Sequence, residues 1–345
     1  MLECKVFAAN DLRVVDVETP SPGPGEVLIR LGAAGICGSD MHYFFHGAVG
    51  SFRIREPLTP GHEASGTVAA VGEGVTRVRP GQRIAINPSR ACGQCAGCRE
   101  GRENLCSNMR FLGSASVFPH MQGMFREYFT MPQQQCVPVD SDVSMQEIAM
   151  SEPLSVALHS VHRAGDLLGK SVLITGSGTI GCMMVIAARL AGARSITVTD
   201  VVDHPLDVAR QVGADRTVRT DQLAPGATLA SIAGEPDVAF EVSGAPQALI
   251  SCLETVRRGG IIVQVGTLPV DGMHLPANLV MQREIDLRGS FRFGHVFEHA
   301  VQAIASRRVD VRPVISASHS LADAQAAMHL ARDKTRSMKV HLVPA

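Results

Sequence analysis

The hydrophobic pattern changes character along the chain. Up to about residue 140, short β-branched and apolar runs (14–17, 27–31, 66–71, 83–87 and 136–139) are separated by turn signals such as Pro22-Gly23-Pro24-Gly25 and Pro80-Gly81. Such runs predict strands, and their density predicts a barrel-like or sandwich-like β domain. After Glu152, apolar strands at 171–175, 195–199, 237–242, 261–265 and 285–287 alternate with helix-like segments that include 182–190, 206–212 and 247–256. That alternation predicts an α/β fold, a doubly wound parallel sheet covered on both faces. Helices near 296–307 and 321–332 and a strand at 338–342 follow. The expected organisation is a β-rich domain over 1–153, a doubly wound α/β domain over 154–290 and a segment 291–345 returning to the first domain.

A chain of 345 residues is long enough for two cores, which agrees with that division. Hydrophobic residues make up 45% and charged residues 19%, the balance of a packed globule. Lys+Arg 32 against Asp+Glu 33 leaves a net charge of −1, which offers neither nucleic acid nor an anionic membrane a sequence-wide attraction. The most apolar stretch, 171–191, is broken by glycines and Arg189 and reads as strand then helix rather than a membrane span. The N-terminus lacks the apolar core of a signal peptide, so the nine cysteines are expected to be reduced thiols in a cytoplasm. Four of them, Cys4, Cys136, Cys182 and Cys252, are expected as small buried apolar side chains.

A Gly-x-Gly-x-x-Gly run, Gly176, Gly178 and Gly181 with Ile180 inside it, follows a strand and opens a helix. In that setting the glycines allow a tight turn, close approach of a pyrophosphate and close helix–strand packing, and the helix N-terminus faces the phosphates. Asp200 closes the next strand, where a carboxylate would accept ribose hydroxyls and repel a 2′-phosphate. NAD is therefore the expected cofactor, with NADP left open by Arg210 and Arg216 nearby.

Two groups of residues carry metal chemistry. Cys92, Cys95, Cys98 and Cys106 follow C-x2-C-x2-C-x7-C, a spacing at which four thiolates close a tetrahedron around zinc with no open position. An iron–sulfur run would have a shorter last gap and a following proline, and a nucleic-acid finger would bring a basic face; here Arg99 and Arg102 mix with Glu100 and Glu103. The lobe is expected to be structural. A dispersed set, Cys37, His62, Glu63 and Glu152, supplies thiolate, imidazole and carboxylate for a second zinc with an open position, with Glu63 and Glu152 competing for the third place. Such a zinc acts as a Lewis acid on an alcohol oxygen, and Ser39 and His42 follow Cys37 closely enough to carry the released proton to solvent.

Gly-His-Glu at 61–63, the four-cysteine lobe and the dinucleotide fingerprint, in that order, resemble the zinc-containing medium-chain dehydrogenase/reductase superfamily over essentially the whole chain. Gly35-Ile-Cys-Gly-Ser-Asp-Met-His-Tyr and Ser151-Glu-Pro-Leu-Ser-Val resemble its sorbitol/polyol dehydrogenase branch. The resemblance implies a GroES-like β domain completed by the C-terminal segment, a Rossmann domain, and a homo-oligomer, dimer or tetramer. It maps zinc onto Cys37 and His62 with Glu63 or Glu152, and places Tyr43 and Arg292 where that branch contacts substrate. Ala85-Ile-Asn-Pro-Ser-Arg, Asn108-Met-Arg-Phe-Leu-Gly-Ser-Ala and Arg288-Gly-Ser-Phe-Arg-Phe narrow the resemblance to members that oxidise a secondary hydroxyl of a sugar acid. A carboxylate needs a cation, and Arg110 and Arg292 are the candidates, since a guanidinium binds it through two parallel hydrogen bonds. A sorbitol- or xylitol-type polyol dehydrogenase is the alternative. A non-catalytic zinc- and nucleotide-binding regulator would lack the dispersed ligands, which are all present.

Overall fold

The protein is described by a computed structural model covering residues 1–269 and 271–344. Two large sheets dominate it. In the first, Cys136–Pro138, Arg83–Ile86, Glu63–Val71, Glu26–Gly35, Lys339–Val343 and Ile315–Ser320 lie side by side, and Tyr128–Pro132 also pairs with Glu26–Gly35. The strand Lys339–Val343 runs antiparallel to Glu26–Gly35, with His341 opposite Gly35, and so lies inside a sheet otherwise built mainly from the first 140 residues. Its Val340 and Leu342 enter the same core as Ile29, Leu31 and Phe129, while Lys339 and His341 face the other way.

The second sheet is wholly parallel, in the order Arg216–Arg219, Ser195–Asp200, Ser171–Thr175, Val238–Glu241, Ile261–Gln264, Asp286–Gly289. Helices cover both faces. Val172 and Ile174 pack into one buried cluster and Leu173 into the other, so the strands read as unbroken apolar runs. This is the doubly wound α/β fold that the strand–helix alternation predicts.

Of the helices that depart from the sequence reading, two bear on the site. Gly38–His46 lies within the stretch read as β; Cys37 sits at its N-cap, Asp40 closes a capping box back onto the Cys37 N–H at 2.9 Å, and Gly47 ends it in the left-handed region at φ +68°. Ser151–Ala164 starts where the β texture ends. Its buried Leu154, Ala157, Val161 and Ala164 follow helical spacing, but the buried Ser155 and Ser160 interrupt that apolar stripe. Both hydroxyls donate to the carbonyl four residues back, at 2.6 and 2.8 Å, which lets a helix bury them. The run at 14–17 belongs to Asp11–Asp16, paired with Leu2–Ala8 in a separate two-stranded ribbon. Among the described residues no helix is long and apolar enough to cross a membrane.

Candidate active site and cofactor cleft

Cys37, His62 and Glu63 come together, their ligand atoms all within 4.8 Å of one another. Asp40, fully buried, organises the two chain segments that carry them: one oxygen accepts the Cys37 N–H, the other accepts the Gly61 N–H at 2.9 Å and lies 3.6 Å from His62 Nδ1. The Glu63 carboxylate is also buried. Its Oε2 accepts a hydrogen bond from Lys339 Nζ at 2.5 Å, and that ammonium also donates to the Ile36 carbonyl at 2.8 Å. Burial, with the Glu63 carboxylate second, pushes the Cys37 thiol up to about 12, so a thiolate there needs a further cation beside it. Glu63 Oε1 is buried with no hydrogen-bond partner among the described residues. A thiol, an imidazole and an unsatisfied carboxylate oxygen converging in this way fit a zinc ion.

Glu152, in the first turn of Ser151–Ala164, is buried beside this set but outside its 4.8 Å limit. Burial is the main cause that raises its carboxyl to about 8; His62 opposes the shift, and Glu63 and Cys37 add to it. Ser39 and His42 lie on the helix that Cys37 caps, Ser39 half-buried and His42 exposed, with burial and then His46 lowering the imidazole's proton affinity. Tyr43, on the same helix, is buried, and its hydroxyl accepts the Ala115 N–H at 3.0 Å. Arg292 is half-buried, with its guanidinium 4.8 Å above the Phe111 ring and 4.9 Å from that of Phe291. Burial lowers its proton affinity, and the nearby Tyr43, Glu152 and Cys106 oppose that shift. Phe111 packs in turn on the His62 ring, centroids 5.4 Å apart. Arg110, its neighbour in sequence, is exposed and donates to the Met121 sulfur at 3.6 Å.

Cys92, Cys95, Cys98 and Cys106 form a second cluster with all four sulfurs within 4.8 Å of one another. The backbone N–H groups of Cys98 and Ser107 bring the Cys95 thiol down to about 6, while burial and the adjacent Cys95 and Cys106 thiols push Cys98 up to about 12. All nine cysteines are free, and Cys4, Cys136, Cys182 and Cys252 are fully buried.

The glycine loop leaves the strand Ser171–Thr175 and opens the helix Thr179–Leu190. Gly176 has φ +93°, and a Cβ on Gly181 would stand 2.0 Å from the Gly176 carbonyl oxygen, so both positions exclude side chains. Asp200, at the end of Ser195–Asp200, accepts the Ser177 N–H at 2.7 Å and the Ser177 hydroxyl at 2.9 Å. Gly178, Ile180 and Asp200 line a cavity of about 1120 Å³ that also reaches Cys37, Glu63 and Lys339. One cleft between the two sheets therefore holds the fingerprint loop and the candidate metal ligands.

Sequence reasoning missed Asp40, Lys339 and Phe111. The capping-box spacing from Cys37 could have indicated Asp40, whereas Lys339 stands 276 residues from the carboxylate it pairs with and carries no local mark.

A doubly wound sheet with a glycine fingerprint, joined to a β-rich half with a thiolate–imidazole–carboxylate set and a four-cysteine lobe, describes a zinc-type dehydrogenase, and the chain belongs to the zinc-containing medium-chain dehydrogenase/reductase family. Residues 23–141 match the alcohol dehydrogenase GroES-like domain and residues 179–306 the zinc-binding dehydrogenase domain. The chain is 41% identical over 338 residues to L-idonate 5-dehydrogenase (NAD(P)(+)) of Escherichia coli, an alignment covering 98% of this chain and 97% of that one. The crystal structure of the Escherichia coli L-idonate 5-dehydrogenase superposes with a TM-score of 0.90 over 99% of this chain and 97% of that one, at 37% identity. Sorbitol dehydrogenase of Gallus gallus is 37% identical over 90% of this chain and 87% of its own length. A zinc-binding dehydrogenase of Sinorhizobium meliloti bound to NADP has a TM-score of 0.89 and 29% identity, covering 99% of each chain.

Proposed function

We propose that this protein oxidises a secondary hydroxyl of a sugar acid, L-idonate to 5-keto-gluconate, with reduction of NAD+. The observation that carries the sugar-acid reading is Arg292, a half-buried guanidinium close to Tyr43 and Glu152 and stacked on the ring that packs against His62. Such a guanidinium can donate to the hydroxyls of a neutral polyol, and it gains a charge-assisted partner when the substrate carries a carboxylate. The 41% identity to an L-idonate dehydrogenase over nearly the full chain supports the same substrate.

In this reading Cys37, His62 and Glu63 hold the catalytic zinc, with Glu152 beside them, and Cys92, Cys95, Cys98 and Cys106 hold a second, structural one. Zinc at the first site supplies Lewis-acid polarisation of the alcohol oxygen. The protein's own groups do the rest. Asp40 holds the Cys37 and His62 segments in register, Tyr43 and Arg292 orient the substrate, and Arg110 serves its outer end. Ser39 and His42 pass the hydroxyl proton outward, and a nicotinamide cofactor held by the glycine loop would supply the hydride acceptor. Gly176, Gly178, Ile180 and Gly181 form the pyrophosphate cradle, and Asp200 sets the preference for NAD over NADP. Residues 1–153 with 291–345 make the catalytic domain and 154–290 the cofactor domain of a cytoplasmic homo-oligomer, dimer or tetramer. The exposed edge strand Asp286–Gly289, with Leu287 39% accessible, supports self-association.

The test is a screen of purified enzyme with NAD+ and NADP+ against L-idonate, sorbitol, xylitol and L-threonine, together with metal analysis. Two zincs per chain and the highest kcat/KM with L-idonate and NAD+ are expected. In Arg292→Ala the KM for L-idonate should rise by about tenfold or more beyond any rise for sorbitol, the weight of one charge-assisted contact. Equal losses for acid and polyol would show that Arg292 does not read the carboxylate.

A further inference from the structure

Arg292 has φ +55°, the left-handed region that a residue with a side chain enters only when its surroundings hold it there. The strand end before it is tied to the helix Ser151–Ala164, where Ser160 Oγ lies 2.9 Å from Ser290 Oγ and Arg163 Nε donates to the Gly289 carbonyl at 2.9 Å, while the contacts at Phe291 and His295 come from the four-cysteine lobe. The buried Asn104, between Cys98 and Cys106, donates through Nδ2 to the Phe291 carbonyl at 3.0 Å, immediately before Arg292. Three residues after Arg292, His295 Nε2 bonds the Gly101 carbonyl at 3.1 Å. Beneath the guanidinium lies Phe111, which packs with Cys106 and Met109 against Cys92, Cys95 and Cys98 in the lobe's own small core. The same amide lies 3.4 Å from Nε2 of His159, so it is fixed from a second side by the helix Ser151–Ala164. The four-cysteine lobe thus has its core ring and one buried amide directed at a half-buried guanidinium that lies near Tyr43 and Glu152.

The geometry points to a second role for the four-cysteine lobe: through Asn104 and Phe111 it positions Arg292, and so sets the affinity for the anionic end of the substrate. Asn104 is a positioning residue in this arrangement, acting through the backbone of residue 291 rather than by touching substrate. The inference rests on the reading of Arg292 as the carboxylate partner. It adds that this guanidinium is presented by the lobe and not by its own strand, Asp286–Gly289, which ends before it.

The experiment compares Asn104→Ala, Arg292→Ala and the double variant as zinc-loaded enzymes, measuring kcat and KM for L-idonate, binding of L-idonate to the enzyme–NADH complex by nicotinamide fluorescence, and zinc per chain. Asn104→Ala should raise KM and the dissociation constant about five- to tenfold, with kcat within about twofold and two zincs retained. In the Arg292→Ala background it should add nothing, because the group it positions is gone. His295→Ala, an exposed substitution, cuts the second clip without risk to folding and should raise KM about two- to threefold, again only while Arg292 is present. If Arg292→Ala weakens L-idonate but Asn104→Ala and His295→Ala do not, or if their effects multiply with that of Arg292→Ala, the lobe does not position Arg292. If Arg292→Ala leaves KM unchanged, the sugar-acid reading fails and takes this inference with it.

Discussion

Asp200 receives hydrogen bonds at both oxygens from its own chain: Ser177 N–H and hydroxyl on one, and the Val201 and Val202 N–H groups, at 2.7 and 3.2 Å, on the other. A carboxylate has about four lone-pair sites, so any ribose hydroxyl brought to Asp200, as proposed, would compete for an acceptor already filled. Ser177→Ala removes one competitor while keeping the backbone bond. With about 1 kcal/mol for a net hydrogen bond, NADH should bind roughly fivefold tighter and NADPH no tighter. Fluorescence titration of both cofactors reads this directly, and unchanged or weaker NADH binding would remove Asp200 from the ribose. A second residue-scale effect is pH dependence. Burial, helped by His162 and Arg163, pushes His159 down to about 4 from an ordinary 6.5. Between those values the unfolded chain holds the extra proton, so the stability contributed by neutral His159 is complete above pH 6.5 and is lost as pH falls toward 4. The thermal midpoint of His159→Gln should therefore fall less steeply from pH 7 to 5 than that of the parent. Residue chemistry was legible where side-chain type alone marks it, as for Cys37, His62, Glu63 and the four clustered cysteines. It was not legible for Asp40, Lys339 or Phe111, whose importance lies in which distant groups they touch.

At the scale of elements, the parallel strands were readable because both faces are buried, and Val172, Leu173 and Ile174 are apolar in succession. The helix Gly38–His46 was not, because its sequence mixes buried Tyr43 and Phe44 with a buried carboxylate and reads like another irregular loop. The strand Lys339–Val343 was visible as a strand, but its most consequential side chain points away from the hydrophobic core that made it visible. Lys339 and Glu63 are a buried ion pair, with side chains 3% and 1% accessible. Removing one partner leaves a charge without compensation, so Lys339→Met should cost about 3–5 kcal/mol, while Lys339→Met with Glu63→Gln should recover most of that loss. Urea unfolding of chelator-treated protein measures both; equal destabilisation by the single and double variants would show that charge is not the cause.

For the whole molecule, the separation of the two candidate metal sets has a measurable meaning. The four cysteines lie outside the cavity that holds the glycine loop, Cys37 and Glu63. Cys98→Ser should bring zinc from two per chain to one and lower the thermal midpoint, yet leave NADH affinity within about twofold, since the Gly176–Asp200 loop belongs to the other sheet. A parallel loss of NADH binding would mean the halves do not stand independently. The broad division into a β-rich half and a doubly wound half was legible in the change of hydrophobic period near Glu152. The path by which Lys339–Val343 reaches Glu26–Gly35 leaves no local pattern, since partners so far apart are specified by the finished core. That pairing also sets a clock on biosynthesis. A ribosome adding about 5–20 residues each second needs roughly 15–55 s to travel the 276 positions from Glu63 to Lys339. For that interval the nascent first half carries a carboxylate whose cation has not yet been made, so its pocket cannot close in final form.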